Sequence, residues 1–498
     1  MPDRIVLDES LSWRQIGAIA HGAHLVLSDA AQRRIAAARA LVESIVAKGI
    51  RAYGVNTGVG ALCDVVVAEP KQRQLSRNIV MSHAVAVGPC LEATEVRAII
   101  AAAINNFAHG YSGVRVAVVE GLGALLAHDC IPEVPAAGSV GYLSHMAHIA
   151  LVLLGDGHAS LSGERRSGAA ALQAMSVQPL VLQAKEGLSL VNGTPCATGL
   201  SAIALVRMER LMDWADVIAA MTFENLGAQR DGFDADALSV RSSPGVAQAG
   251  VHLRAILEGS GMLAAAAGRR TQDPLSLRAV PQVHGAARDL FDYAAAVVNR
   301  ELSSATDNPI VIGTVDAPRA LSEANAVGAA IALTADSLAT AAAEIAAMSE
   351  RRVNRLVNPL VSNLPAFLAS DSGASSGFMI AQYTAVSLVA ENRRLAAPAS
   401  LDGGTTSGLQ EDHLSHATPA ALKLLKILDN AEIILSIELL AAAQAYELQP
   451  QPHARAPGTE RIYRALRSAV AQYRDDRPLA GDIGRACELV RHRRPGAL

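Results

Sequence analysis

The stretch 415–447 has an apolar run of membrane-spanning length, yet Lys423, Lys426, Asp429, Glu432 and Glu438 recur along it. A second stretch, 326–343, carries Asp336, with Glu344 just beyond it. Runs of this kind belong to helices buried inside a protein or against other copies of it, and not to membrane spans. Apolar residues make up 51% of the chain and aromatic residues only 3%. With Ala and Leu supplying much of that share, the bias favours helices packed closely through small side chains. Further helical patterns fall at 197–226, 247–266, 283–302, 320–356 and 376–396. The expected fold is all-α, a long central helical bundle preceded by an N-terminal region of mixed short elements. Helices that are apolar on more than one face need neighbours, so the bundle is expected to be completed by other subunits.

At 498 residues the chain is too long for one ordinary core. The expected division is an N-terminal region, 1–202, and a long-helix bundle with a C-terminal tail, 203–498. In the first, Ser28-Asp29 opens a helical pattern that Gly49 stops. Residues 51–62, RAYGVNTGVGAL, read as a glycine-rich loop. Helical periodicity runs from 92 to 128, breaks at Pro132 and Pro135, and resumes after Gly141. The segment 450–458 ends the helical array of the second half.

A net charge of −4 and a pI of about 6.4 argue against a nucleic-acid or membrane-surface partner. The basic cluster Arg491-His492-Arg493-Arg494 reads as a solvated tail. Five scattered cysteines without C-x-x-C spacing exclude a disulfide framework and a structural zinc site, and no metal is expected. They suit a reducing compartment, and the opening MPDRIVLDES lacks the apolar core of a secretory signal, so the expected location is cytoplasmic.

The chemistry-bearing residues lie in separated segments. They are Tyr53-Gly54-Val55-Asn56-Thr57-Gly58, Arg77-Asn78 with Ser82-His83, and Gly138-Ser139-Val140-Gly141 leading into an apolar helix with His148. Further along come Gly187 to Thr194, Gln272-Asp273-Pro274 with Ser276-Leu277-Arg278, and Thr306-Asp307-Asn308-Pro309. Ser376 to Tyr383 and Gln410-Glu411-Asp412-His413 complete the set. Each string is weak alone. Arg278 could be a surface ion-pair partner, Asn192 a turn residue before Gly, His83 a core histidine and Glu411 a helix N-terminal charge.

Taken in order, the segments resemble the aromatic amino-acid ammonia-lyases, the histidine ammonia-lyase superfamily, over most of the chain from residue 10 to 450. The resemblance implies elimination of ammonia from histidine or a related aromatic L-amino acid to give an arylacrylate. It implies Tyr53 as the base for the β-proton, a phenol needing donors or positive charge nearby to ionise near neutral pH. It further implies Arg278 as the carboxylate clamp, Asn192 as a donor to the electrophile's oxygen, and Asn308 at the same polar end. Met379 would lie at the substrate site. His83, Gln410 and Glu411 would face the ring, where a carboxylate suits the N–H donors of imidazole and not a phenyl group. A homotetramer with shared active sites is implied as well.

In this family an Ala-Ser-Gly triad follows the turn and cyclises autocatalytically into a methylidene-imidazolone electrophile. Here Gly141 is followed directly by Tyr142, and no Ala-Ser-Gly occurs anywhere in the chain. The registers before and after match the family, so Gly138, Ser139, Gly141 and Tyr142 flank the place where the triad would stand. Other departures are Leu275 for Tyr, Ala326 and Val327 for Phe-His, and Tyr142 for Asp. Two readings stay open: the gene encodes the triad and its cyclised product has no place among the standard residues, or the triad is absent. The rival functions are an aminomutase and a catalytically silent paralogue acting by binding or assembly.

Overall fold

The computed structural model describes residues 4–401, 403–451 and 453–498. Helices dominate them, with short strands in four small sheets. Packing groups the chain into two units, each drawing on three stretches. The first comprises Met1–Val206, Ala294–Asp336 and Pro398–Leu422; the second comprises Arg207–Tyr293, Ser337–Ala397 and Lys423–Leu498. The units do not follow the two continuous regions 1–202 and 203–498, since the chain passes between them after Val206 and again later. The returns of the chain at 294 and 398 were not foreseen.

In the first unit the helix Asp29–Ala47 begins where Ser28 was expected to start it, the Ser28 hydroxyl accepting from Ala31 N–H at 3.0 Å. The helical stretch expected over 92–128 holds two helices, Ala93–Ala108 and Val116–Ala127. The break is tertiary in origin: Val311 N–H donates to Tyr111 O at 2.9 Å, a bond that an uninterrupted helix would have to give up. That bond brings in the hairpin Ile310–Gly313 and Pro318–Leu321, paired antiparallel as Ile310↔Leu321. The helix expected from 320 consequently starts at Ala329.

The helices Glu69–His83 and Glu186–Val191 pack so closely that Gly187 has no room for a side chain. A Cβ there would lie 2.0 Å from Ser76 O, which is backbone and cannot swing aside. One helix ends at His83 and the other runs into Asn192, so this contact sets where both residues emerge. Gly187→Ala is expected to destabilise the fold by about 1–3 kcal/mol or more, as overpacking of a rigid contact does. Chemical denaturation checks it, and an unchanged midpoint would show that the helices can part freely.

The second unit holds the helices Pro244–Ile256, Met379–Leu395, Pro457–Ala469 and Ala480–His492 together with the distal parts of the longest helices. Two runs, Glu186–Leu226 and Ala329–Val357, are long and apolar enough to cross a membrane. Of their apolar windows 94% and 61% is buried inside the protein.

Candidate active site

A cavity of about 870 Å³ in the first unit is lined by Tyr53, His83, Tyr142, Asn192, Asn308, Gln410 and Glu411, residues from six separate segments of the chain. The glycine-rich loop that carries Tyr53 is shaped by one amide. Asn56 accepts from Ala52 N–H at 2.9 Å and donates to Ile50 O at 2.9 Å, closing the loop on itself. Tyr53 Oη accepts from Gly60 N–H at 3.1 Å. Burial pushes the Tyr53 phenol above its ordinary range, the Gly60 N–H pulls it down, and the Glu411 carboxylate pushes it up again. The direction is upward, opposite to the depressed value the resemblance implied. The groups that act on it besides burial are Gly60, Glu411 and Cys63, none of them a cation.

Gly138, Ser139 and Gly141 form the turn beneath the cavity. Ser139 Oγ accepts from Gly141 N–H at 3.1 Å and donates to Tyr142 O at 3.1 Å, while Thr418 Oγ1 donates to Gly141 O at 2.9 Å. The next residue is strained: Leu143 has φ 81° and ψ −74°, and Ser144 N–H reaches back to Tyr142 O at 3.3 Å. This is a γ-turn of the left-handed, rarely populated form, at a branched residue. It stands at the junction where the family's triad would lie. From there the Tyr142 hydroxyl donates to Glu411 Oε2 at 3.1 Å. Burial and that carboxylate push the Tyr142 phenol far above its ordinary range, so it stays a neutral donor.

His83 Nδ1 donates to Ile79 O at 2.7 Å, and burial lowers its pKa. The ring is therefore neutral near pH 7 with Nε2 left as an acceptor. Glu411 is placed by backbone pairing with Thr406, through Thr406 N–H to Glu411 O at 2.9 Å. Asn192 spends both amide hydrogens on the protein, donating to Asn308 O at 2.6 Å and to Asp307 Oδ1 at 3.4 Å. The donor role expected of it is not free in this arrangement; Oδ1 is the polar atom it has left. Ala326 and Val327 also line the cavity, in keeping with the apolar replacements read there.

Arg278 and Met379 are not brought to this cavity; both belong to the second unit, as does Leu275. Arg278 ends the short helix Leu275–Arg278, donates from Nε to Asp273 O at 2.9 Å, and lines a separate recess of about 490 Å³ with Gln272 and Asp273. Met379 opens the helix Met379–Leu395. Sequence reasoning missed Arg51 and Cys63 in the cavity lining and Lys185 behind it. A lone charge or thiol in a loop, or a lysine before a helix, carries no signal of its own. Among the described residues, no three His, Cys, Asp or Glu side chains gather as a metal site would require.

The family model for aromatic amino acid lyases matches residues 11–468. A histidine ammonia-lyase of Symbiobacterium thermophilum is 42% identical over 492 residues, covering 98% of this chain and 96% of that protein. The crystal structure of histidine ammonia-lyase from Trypanosoma cruzi superposes with a TM-score of 0.90 at 35% identity, over 98% of this chain and 93% of that one. The tyrosine aminomutase of Streptomyces globisporus gives 0.92 at 32% identity, over 98% and 97%. With a match that runs nearly end to end and the helical fold in common, this chain belongs to the aromatic amino acid lyase family of carbon–nitrogen lyases.

Proposed function

We propose that this chain is an ammonia-lyase that eliminates ammonia from histidine or a related aromatic L-amino acid. The observation that carries the reading is the convergence of Tyr53, His83, Asn192, Asn308 and Glu411 on one cavity. Tyr53 is the group that removes the β-proton. His83 Nε2 and the Glu411 carboxylate are both acceptors and suit the N–H groups of an imidazole ring. A phenyl ring would leave them desolvated without a ligand partner, at about 1–3 kcal/mol per group. Arg278 and Met379 serve the cavity of a neighbouring copy, in a cytoplasmic homotetramer whose sites are shared between subunits.

Members of this family use a methylidene-imidazolone and no metal. The residues written in this chain cannot build that group, because Gly141 is bonded directly to Tyr142 and the Tyr142 side chain extends into the cavity. The strained γ-turn at Leu143 fits a turn that is three residues short. The same junction favours a second reading: a silent paralogue that binds an amino acid with the Tyr142–Glu411 bond closed and does not turn it over.

Intact mass separates the two. The 498 residues amount to 51.7 kDa; a cyclised triad adds three residues less two waters. The lyase reading expects the added mass, and histidine outcompeting tyrosine and phenylalanine as substrate. A mass matching the 498 residues, with no turnover of any of the three, overturns it. Amination of a supplied arylacrylate at the β-carbon would mark an aminomutase instead. If phenylalanine wins the competition, the acceptors at His83 and Glu411 do not govern the ring site and the apolar Ala326 and Val327 do.

A further inference from the structure

Directly behind the cavity the protein buries a complete ion pair. Lys185, 1% exposed, places Nζ 3.0 Å from Oδ2 of Asp307, which is wholly buried, and 2.8 Å from Ser189 Oγ. Ser189 Oγ in turn donates to the same Asp307 oxygen at 2.8 Å. The other carboxylate oxygen faces the site: Asp307 Oδ1 accepts from Asn308 N–H at 2.8 Å and from Asn192 Nδ2 at 3.4 Å. Asn192 Nδ2 completes the arrangement by donating to Asn308 O at 2.6 Å.

A buried ion pair adds little net stability over apolar groups of the same shape, since the loss of hydration offsets the attraction. What it supplies that apolar groups cannot is direction. Lys185 and Ser189 hold one oxygen of Asp307, and this fixes the rotation of the carboxylate. The second oxygen can then only point at Asn192 and at the backbone of Asn308. An asparagine side chain left alone flips between two nearly isosteric orientations that exchange a donor for an acceptor. With Asp307 Oδ1 and Asn308 O both demanding hydrogens, only the orientation with Nδ2 inward is satisfied, and Oδ1 is presented as the acceptor.

We propose that Lys185 and Asp307 are positioning residues of this site, a buried lever that locks the Asn192 amide with its carbonyl oxygen free for the ligand. The ligand group this orientation selects is a hydrogen-bond donor, such as the amino group of an amino acid. The lock requires an acceptor at Asp307 Oδ1, and Lys185 only keeps that acceptor turned the right way.

The inference rests on the lyase reading for its kinetic readout alone. The test uses the full-length protein in two variants. Lys185→Met with Asp307→Leu replaces the pair by apolar groups of similar shape, and Asp307→Asn keeps an acceptor. The double variant is expected to melt close to the wild type and to lose about 10–100-fold in kcat, the usual scale for an outer group that orients a contacting one. Asp307→Asn is expected to lose less than about tenfold on the same scale. If the double variant does not fold, Asp307→Ala takes its place, because an unpaired buried Lys185 can shed its proton. A folded double variant with unaltered kcat overturns the proposal, as does an Asp307→Asn variant as impaired as the double one. If the wild type turns nothing over, the lyase reading has failed and the orientation is read directly. A crystal structure of the double variant is then expected to show Asn192 Nδ2 released from Asn308 O, and an unmoved amide overturns the lock.

Discussion

Tyr53→Phe is expected to fold normally and to lose about 10²–10⁴ in turnover, the range a positioned proton-transfer group supplies. The substitution removes one hydroxyl and almost no volume. The loop around it is held by Asn56, whose bonds to Ala52 and Ile50 do not involve the ring. Only the 3.1 Å bond from Gly60 N–H is lost. The pH dependence gives a second readout. A base works in its deprotonated form, and burial raises the pKa of this phenol above its ordinary value. Through neutral pH the phenolate fraction therefore climbs about tenfold per pH unit, and kcat/KM should climb with it into the alkaline range. That limb should vanish in Tyr53→Phe. Near-normal turnover in the variant, or a flat profile in the wild type, would place the base elsewhere.

The largest stability effect is expected from Arg352→Met. Arg352 and Glu438 are both fully buried in the second unit and meet through two bonds, Nε to Oε1 at 2.6 Å and Nη2 to Oε2 at 2.8 Å. Thr222 and Ser349 donate to the same carboxylate at 2.7 and 2.6 Å. Removing the guanidinium strands a charge in the core, at about 3–5 kcal/mol. Removing both charges, with Glu438→Leu added, should recover most of that, because a buried pair is weak against apolar groups of similar volume. Denaturant unfolding of the single and double variants measures both. A single variant within about 1 kcal/mol of wild type would mean that Thr222 and Ser349 suffice to hold Glu438.

Much of the site was legible before any coordinates. Tyr53, His83, Asn192, Asn308, Gln410 and Glu411 stood out because the segments that carry them resemble those of the ammonia-lyase family in order, and they do share one cavity. The long helices were legible through their apolar periodicity, which reports a buried face whatever it packs against. Their starts were less so. The helix expected from 320 begins at Ala329 because residues 318–321 pair with 310–313, a partner that periodicity within one segment cannot reveal.

The chain's amino-acid order by itself determined the helical class and the direct succession of Gly141 and Tyr142, and through the family resemblance it singled out the polar residues proposed for chemistry. Tertiary structure decided what those residues can do. The pKa of Tyr53 rises where the resemblance implied a fall, because burial is a property of everything packed around the ring. The Asn192 amide is turned inward by Asp307 and Asn308, 115 and 116 positions away. Lys185 acquires a role only by meeting Asp307 at 3.0 Å, far along the chain. Helix formation depends on neighbours within a few residues, so a local pattern records it. Electrostatics and hydrogen-bond orientation depend on which distant groups are brought within a few ångströms, and folding alone fixes that.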